Sequence, residues 1–464
     1  MNRISNRIYD EMAVGDNASL TRTVTLHDIA MFAATSGDIN PSHMDAEFAA
    51  GERFGHVIVH GMWTASLISA LLGTELPGPG TIYLGQELRF KRPVSPGDIV
   101  TAVVTVREKR DGKGIVIFDC VCSDAEGRTL LTGTAEVIAP TVKYDLDRVQ
   151  VPDVQINRHR LFSTGIKRAM ALPPLRTAVV HPCSERAISA VIEAYAERLF
   201  DPTLIGPRHR IESAAEAAGV SLSGIEIVDV PHSHAAAMSA VEMAARGRVG
   251  AIMKGSLHTD ELLSAVLAKD SGLLTDRWLS HAFVFDVPAY EKLLIITDAA
   301  INIAPTLEQK RDIAQNAIDL ARLLGVKVPK VAVLAAVETV NPRMVSTLDA
   351  AALTAMGARG QIKHGQVDGP LAFDNAIDMG AVREKGIVSE VAGQADILLA
   401  PNLEAGNIAA KQLMYFAKAD SAGLVLGARV PIILTSRSDS VRTRLASIAL
   451  ARIVAYGNAV MAGA

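Results

Sequence analysis

From Gly61 to Leu72 the chain reads GMWTASLISALL, which is apolar on nearly every face of a helix. Such a helix cannot lie on a surface and has to be enclosed by other parts of the chain. The residues that follow supply the enclosure. IYLGQELRF (82–90), DIVTAVVTVREK (98–109), GIVIFDCVC (114–122) and RTLLTGTAEVIA (128–139) each alternate apolar and polar residues with period two, and the last pair is joined by a turn at Asp124 to Gly127. The first 140 residues therefore read as an α+β unit in which an antiparallel sheet wraps one buried helix.

Ahead of that helix stands GDINPSH, Gly37 to His43. Pro41 denies Asn40 the α region, and Asn40, Pro41 and Ser42 are turn formers, so the expectation here is a tight loop. Such a loop can aim the Asp38 carboxylate and the His43 imidazole at one water, the arrangement general acid–base chemistry needs. Thr25, three residues before Asp28, has the form of an N-cap, and LHDIAMFAATS should be the helix that delivers the loop. His56 and His60 are four apart, but Val-Ile-Val between them prefers extended backbone and no third ligand follows, so no metal is expected. His60 reads as a structural residue before the helix.

GDINPSH, FGHVIVHGMWTASLISALLG (54–73) and GPGTIYLGQELRFKRPVSPGD (78–98) together resemble the MaoC-like (R)-specific enoyl-CoA hydratases. The resemblance implies a hot-dog fold and syn addition of water to an enoyl thioester, giving an (R)-3-hydroxyacyl-CoA. It also implies that Asp38 and His43 hold and deprotonate the water, with Asn40 beside them. Gly61 would open the buried helix so that its N-terminal N–H groups meet the thioester oxygen, and Ser69 matches a serine that orients the carboxylate.

With 464 residues the chain exceeds one ordinary core. Lys plus Arg number 46 against 50 acids, net −4, which provides no polycationic face for nucleic acid or anionic lipid. Three cysteines, Cys120, Cys122 and Cys183, lack metal spacing and form no even disulfide set, which suits a reducing cytoplasm. Cys120 and Cys122 lie two apart and share a strand face as core filler. MNRISNRIYDEM has no apolar leader core, and no membrane-length apolar run occurs, so a soluble cytoplasmic protein is expected.

PTVKYDLDRVQVPDVQINRHR (140–160) loses all periodicity and reads as a linker between a 1–140 unit and a 161–464 unit. Beyond it short apolar runs alternate with helical stretches: TAVV, IEIVDV, GAIM, HAFVFDV, LLIIT, KVAVLAA, DILLAP, GLVLGA and VPIILTS. That is the pattern of a two-lobed α/β domain with mainly parallel sheets. No GxxxxGK[ST] and no strand-linked GxGxxG is present, which leaves the usual nucleotide sites unsupported. Polar residues instead gather at strand ends, where open α/β sheets bind ligands. MKGSLHTDELL offers Lys254, Gly255, His258 and Thr259 to an oxyanion, DAAINIAP offers Asn302, and VDGPLAFDNAI offers Asp374, which also suits a helix cap. APNLEAGNIAAKQL puts Asn407 and Lys411 four apart, and VPIILTSRSDS ends in Ser436, Arg437 and Asp439.

In this order these motifs resemble the phosphate acetyltransferase and butyryltransferase family. The resemblance implies exchange of acyl-CoA and inorganic phosphate for acyl phosphate and CoA, with no permanently bound cofactor. Ser436 and Arg437 match its Ser-Arg pair, and Asp439 stands in for an aspartate that lies further along in some members. Asp439 equally suits a helix cap. Two readings follow: a two-activity enzyme acting on CoA thioesters as a homo-oligomer, or a hydratase whose second domain only binds CoA or oligomerises.

Overall fold

The computed structural model describes residues 3–147, 160–434 and 441–462. The chain divides into two compact units, Met1–Ile156 and Asn157–Ala464. Ser436, Arg437 and Asp439 lie outside the described residues.

The first unit runs β1 (Arg3–Ser5), β2 (Asn17–Thr23), α1 (Leu26–Ser36), α2 (Pro41–Met44), α3 (Ala46–Ala50), α4 (Gly61–Thr74), β3 (Ile82–Phe90), β4 (Ile99–Arg110), β5 (Ile115–Ser123), β6 (Thr129–Ile138) and β7 (Asp145–Asp147). Five of its strands form one antiparallel sheet in the order β2-β4-β5-β6-β3. Its inner face packs on α4: Leu67, Ile68, Leu71 and Leu72 share one core with Val100, Val104, Phe118, Cys120, Cys122 and Val137. This is the hot-dog layout. Cys120 and Cys122 are core residues, and burial pushes their thiols up to about 12 and about 11. The enclosure of α4 is incomplete within one chain, because Met62, Ser66, Ser69 and Gly73 form an exposed stripe along it.

The first unit also extends past residue 140. Strand β7 pairs with β1, Arg3 bonds Asp145 at 2.8 Å, and Asn6 holds Val142 O and Tyr144 N. The division between the units falls inside the stretch read as a linker, but its first residues belong to the first unit, and a three-residue strand carries too few residues to show a period.

The second unit runs α5 (Arg160–Met170), β8 (Leu175–Val180), α6 (Glu185–Ala196), β9 (Phe200–Gly206), α7 (Arg208–Ala218), β10 (Glu226–Asp229), α8 (Ser233–Ala245), β11 (Ala251–Lys254), α9 (Thr259–Leu267), β12 (Ser280–Asp286), β13 (Leu294–Thr297) and α10 (Leu307–Leu323). It continues with β14 (Lys330–Leu334), α11 (Val345–Ala358), β15 (Gln366–Leu371), α12 (Phe373–Ile377), α13 (Met379–Glu384), β16 (Ile397–Leu399), α14 (Leu403–Tyr415), β17 (Asp420–Leu426), β18 (Ile432–Ile433) and α15 (Val441–Ala462). The strands make one sheet of 11, ordered β10-β9-β8-β11-β18-β17-β12-β13-β16-β14-β15. The two lobes are two parallel blocks of it, β10 to β18 and β13 to β15, and the antiparallel pairs of β17 and β12 join them.

Two strands escape sequence reading. FDPTLIG forms β9 despite Pro202, which normally bars a central strand. Pro202 faces only β8, because pairing to β10 begins at Thr203. QVDGPL, absent from the strands read in the sequence, forms β15, whose position at the edge of the sheet tolerates Pro370. No described helix is long and apolar enough to cross a membrane.

Candidate active sites

In the first unit the site starts from the capping of α1. Thr25 and Asp28 exchange hydrogen bonds in a capping box, and Gly37 ends the helix in the left-handed region at φ 77°. Asp38 follows at once. Its Oδ1 accepts from Asn40 N at 3.3 Å. Asn40 takes φ −52° and ψ 127°, outside the α region as its following proline requires. The expected loop is shorter than read, because Pro41 at the first position starts the one-turn helix α2. Asn40 caps that turn through Ser42 N at 3.1 Å, so its side-chain oxygen serves structure.

His43 sits on α2 and donates from Nδ1 to the Ile58 carbonyl at 2.7 Å. A carbonyl can only accept, so Nδ1 carries the proton and Nε2 keeps a lone pair. A second imidazole joins this pair. His60, 1% exposed, bonds the main-chain oxygen of Asp38 through Nε2 at 2.9 Å, and its ring lies 4.0 Å from that of His43. One donor atom from each of Asp38, His43 and His60 falls within 4.8 Å of the others, close enough for a single ion. The two rings lie against each other tilted by 37°, and each already has one nitrogen bonded to a main-chain carbonyl. His60 is thus part of the cluster and not only a residue before the helix. The signal available was its place next to Gly61. His56, four residues earlier, bonds Ser95 Oγ at 2.9 Å instead.

A pocket of about 370 Å³ opens on His43 and on Gly61, the first residue of α4. Arg53, Lys91 and Arg92 line it, and among the described residues no carboxylate does. A Cβ on Gly61 would stand 3.0 Å from the Phe90 ring, so glycine keeps this helix end open. Among the described residues no hydrogen bond links Ser69 to Asp38. Ser69 sits on the exposed stripe of α4, and the expected orienting role is absent within one chain.

In the second unit a cavity of about 320 Å³ lies where β8 and β11 end. Lys254 lines it from the end of β11 with Gly255 and Ser256 just beyond, Ser184 from the cap of α6, Arg186 from the first turn of that helix, and Arg444 from α15. Ser184 caps α6 and its Oγ lies 2.8 Å from Ser256 Oγ, tying the two strand ends together. Gly255 is required by close approach, since a Cβ there would come within 2.4 Å of Val180 O. Arg444, nearly buried, donates to Arg186 O at 3.5 Å. Two guanidinium groups and one ammonium group around a helix N-terminus suit a phosphate or a polyphosphate. Sequence reading missed Ser184 and Arg186. HPCSER is a polar strand-to-helix turn just like MKGSLHT, and that likeness was the available signal.

The other expected residues do not reach this cavity within the described chain. His258 is exposed at the start of α9 and makes no capping bond, with Thr259 beside it. Asn302 is fully engaged: Nδ2 donates to Asp298 Oδ2 at 2.6 Å and Leu279 O at 2.9 Å, while Oδ1 accepts from Trp278 Nε1. Asn407 ties α14 to Ala299 O at 3.0 Å, and Lys411 is exposed. Asp374 lies inside α12, which Ala372 caps, and pairs with Lys385 at 3.2 Å. That bond holds its carboxyl below the usual range. It follows β15, seven strands along the sheet from β11.

Comparison with known proteins assigns the two units. Residues 231–452 match the family described as Phosphate acetyl/butaryl transferase, and residues 13–120 match the MaoC like domain. The phosphate acetyltransferase of Rhizobium meliloti is 56% identical over 290 residues, 62% of this chain and 92% of that protein. A branched-chain phosphotransacylase from Enterococcus faecalis V583 aligns at 30% identity and TM-score 0.53, covering 60% of this chain and 99% of its own. The R-hydratase PhaJ1 from Pseudomonas aeruginosa is 42% identical over 33% of this chain and 99% of its own, with TM-score 0.32. The chain belongs to the phosphate acetyl/butyryl transferase family and carries a MaoC like domain at its head.

Proposed function

We propose that the chain is a two-activity enzyme: its first unit hydrates enoyl-CoA to (R)-3-hydroxyacyl-CoA, and its second exchanges acyl-CoA and phosphate for acyl phosphate and CoA. The observation that carries the first activity is a His43 shared by two groupings: it clusters with Asp38 and His60, and it lines the pocket onto which Gly61, the first residue of α4, opens. Water held between carboxylate and imidazole loses a proton to His43 Nε2 as its oxygen bonds the β-carbon. Negative charge moves to the thioester oxygen, where the N–H groups around Gly61 meet it. The proton then returns to the α-carbon. Arg53, Lys91 and Arg92 offer the CoA phosphates cations at the same pocket.

For the second activity, 56% identity across nearly the whole of a phosphate acetyltransferase is the main support. Lys254, Arg186 and Arg444 receive phosphate and CoA, with Ser436, Arg437 and Asp439 as the acyl-transfer residues. A second unit that only binds CoA is disfavoured by that identity. CoA thioesters and phosphate are the substrates, and no permanently bound cofactor is invoked.

We place the protein in the cytoplasm as a homo-oligomer. Strand β3 is an outer strand that exposes Ile82, Tyr83, Leu84 and Phe90, and α4 exposes Met62. A second copy over this edge would cover both. The purified chain, given crotonyl-CoA in one assay and butyryl-CoA with phosphate in another, should consume enoyl thioester and release CoA thiol. Failure of either assay across acyl lengths removes that half of the reading.

A further inference from the structure

We propose that His60 is a positioning residue for hydration, which fixes the Asp38 loop by hydrogen bond and the His43 ring by contact. The inference rests on the hydratase reading of the first unit. Asp38 O can only accept, so the 2.9 Å bond makes His60 the Nε2–H tautomer. Its Nδ1 is then a lone pair, buried and without a hydrogen-bond partner among the described residues. Leaving an acceptor unpaired in the interior is costly, and a leucine or phenylalanine would fill the space without that cost. The ring persists because the other nitrogen does something that an apolar side chain cannot.

The surroundings say what that is. Phe32 lies 4.9 Å from the His60 ring on α1, the helix that delivers Asp38, and His43 lies 4.0 Å away on α2. His60 itself caps α4, with φ −56° and ψ 129°, so its backbone sets the start of the helix whose N–H groups face the thioester. One buried ring therefore touches the carboxylate loop, the imidazole and the helix end. Its Nε2–H is committed to the Asp38 main-chain oxygen. Its effect passes through the aim of Asp38 and His43, where small displacements lower rate more than binding.

The test uses the full chain with His60→Phe and His60→Gln, assayed with crotonyl-CoA below the melting temperature of both variants. Phenylalanine keeps the volume and removes the donor; glutamine restores an N–H near the Nε2 position. The expected result is a fall in kcat of at least tenfold for His60→Phe, a KM within threefold of wild type, and recovery of at least fivefold for His60→Gln. In the Asp38→Asn background His60→Phe should lower the residual rate less than twofold, because the group being positioned is already disabled. Wild-type kcat in His60→Phe, equal losses in both variants, or a full tenfold further loss in the Asp38→Asn background would overturn the proposal. A wild-type chain that hydrates no enoyl thioester would instead remove the hydratase reading on which it rests.

Discussion

His43 donates a hydrogen bond from Nδ1–H to the Ile58 carbonyl across 2.7 Å, and that bond decides which nitrogen can serve as base. Nε2 is the nitrogen left to take a proton, on a residue that clusters with Asp38 and lines the pocket. His43→Asn removes Nε2 while keeping an amide able to reach Ile58 O. Hydration of crotonyl-CoA should fall about 10²- to 10⁴-fold, the usual contribution of a positioned base. A stopped-time assay of enoyl thioester measures it, and a loss below tenfold would assign the proton transfer elsewhere.

Gly61→Ala tests the helix end. The new methyl would meet the Phe90 ring at 3.0 Å, and Phe90 is half exposed, so the ring can swing aside. Stability should change by less than about 1 kcal/mol, the range of helix Gly-to-Ala effects. The displaced ring lines the pocket, and KM should rise more for longer enoyl-CoA substrates than for crotonyl-CoA. Equal change at every chain length would contradict this geometry.

Lys254→Ala and Arg186→Ala address the cavity at the ends of β11 and β8. Each should slow phosphate-dependent CoA release roughly tenfold or more, as loss of a charge-assisted bond to an anion does, and leave hydration as it was. Steady-state assays with butyryl-CoA and varied phosphate show it. Unchanged release in both variants would place the phosphate elsewhere.

His281 makes the second unit sensitive to acid. Burial lowers its imidazole to about 4, against the attraction of neighbouring Asp298. Above pH 6.5 the ring is neutral folded or unfolded and contributes no pH dependence. Below pH 6.5 the unfolded chain takes the proton before the folded one does, so stability is lost on acidification. Urea unfolding of wild type and His281→Leu at pH 7.5 and 5 should show a smaller pH effect in the variant. Identical losses would refute the assignment.

Much of this was legible in the sequence because strong periods and strong breakers are local. The closed apolar face of GMWTASLISALL dictated an enclosing sheet, and Pro41 dictated the conformation of Asn40. What stayed hidden depends on partners distant in the chain. Asn302 looked like a ligand residue until Trp278, Leu279 and Asp298 were seen to take its whole amide. His60 looked structural until the fold laid it on His43. Pro202 hid β9 because only the pairing register shows that its missing N–H is harmless. Asp374 fits the motif, but sheet order sets it far along from Lys254.

The central claim is that two chemically separate sites act on CoA thioesters in one chain. Asp38→Asn tests it most directly when both reactions are measured on the same preparation. The account predicts at least a hundredfold loss of crotonyl-CoA hydration, with phosphate-dependent release of CoA from butyryl-CoA within twofold of wild type. Loss of both activities together, or retention of hydration, would contradict it.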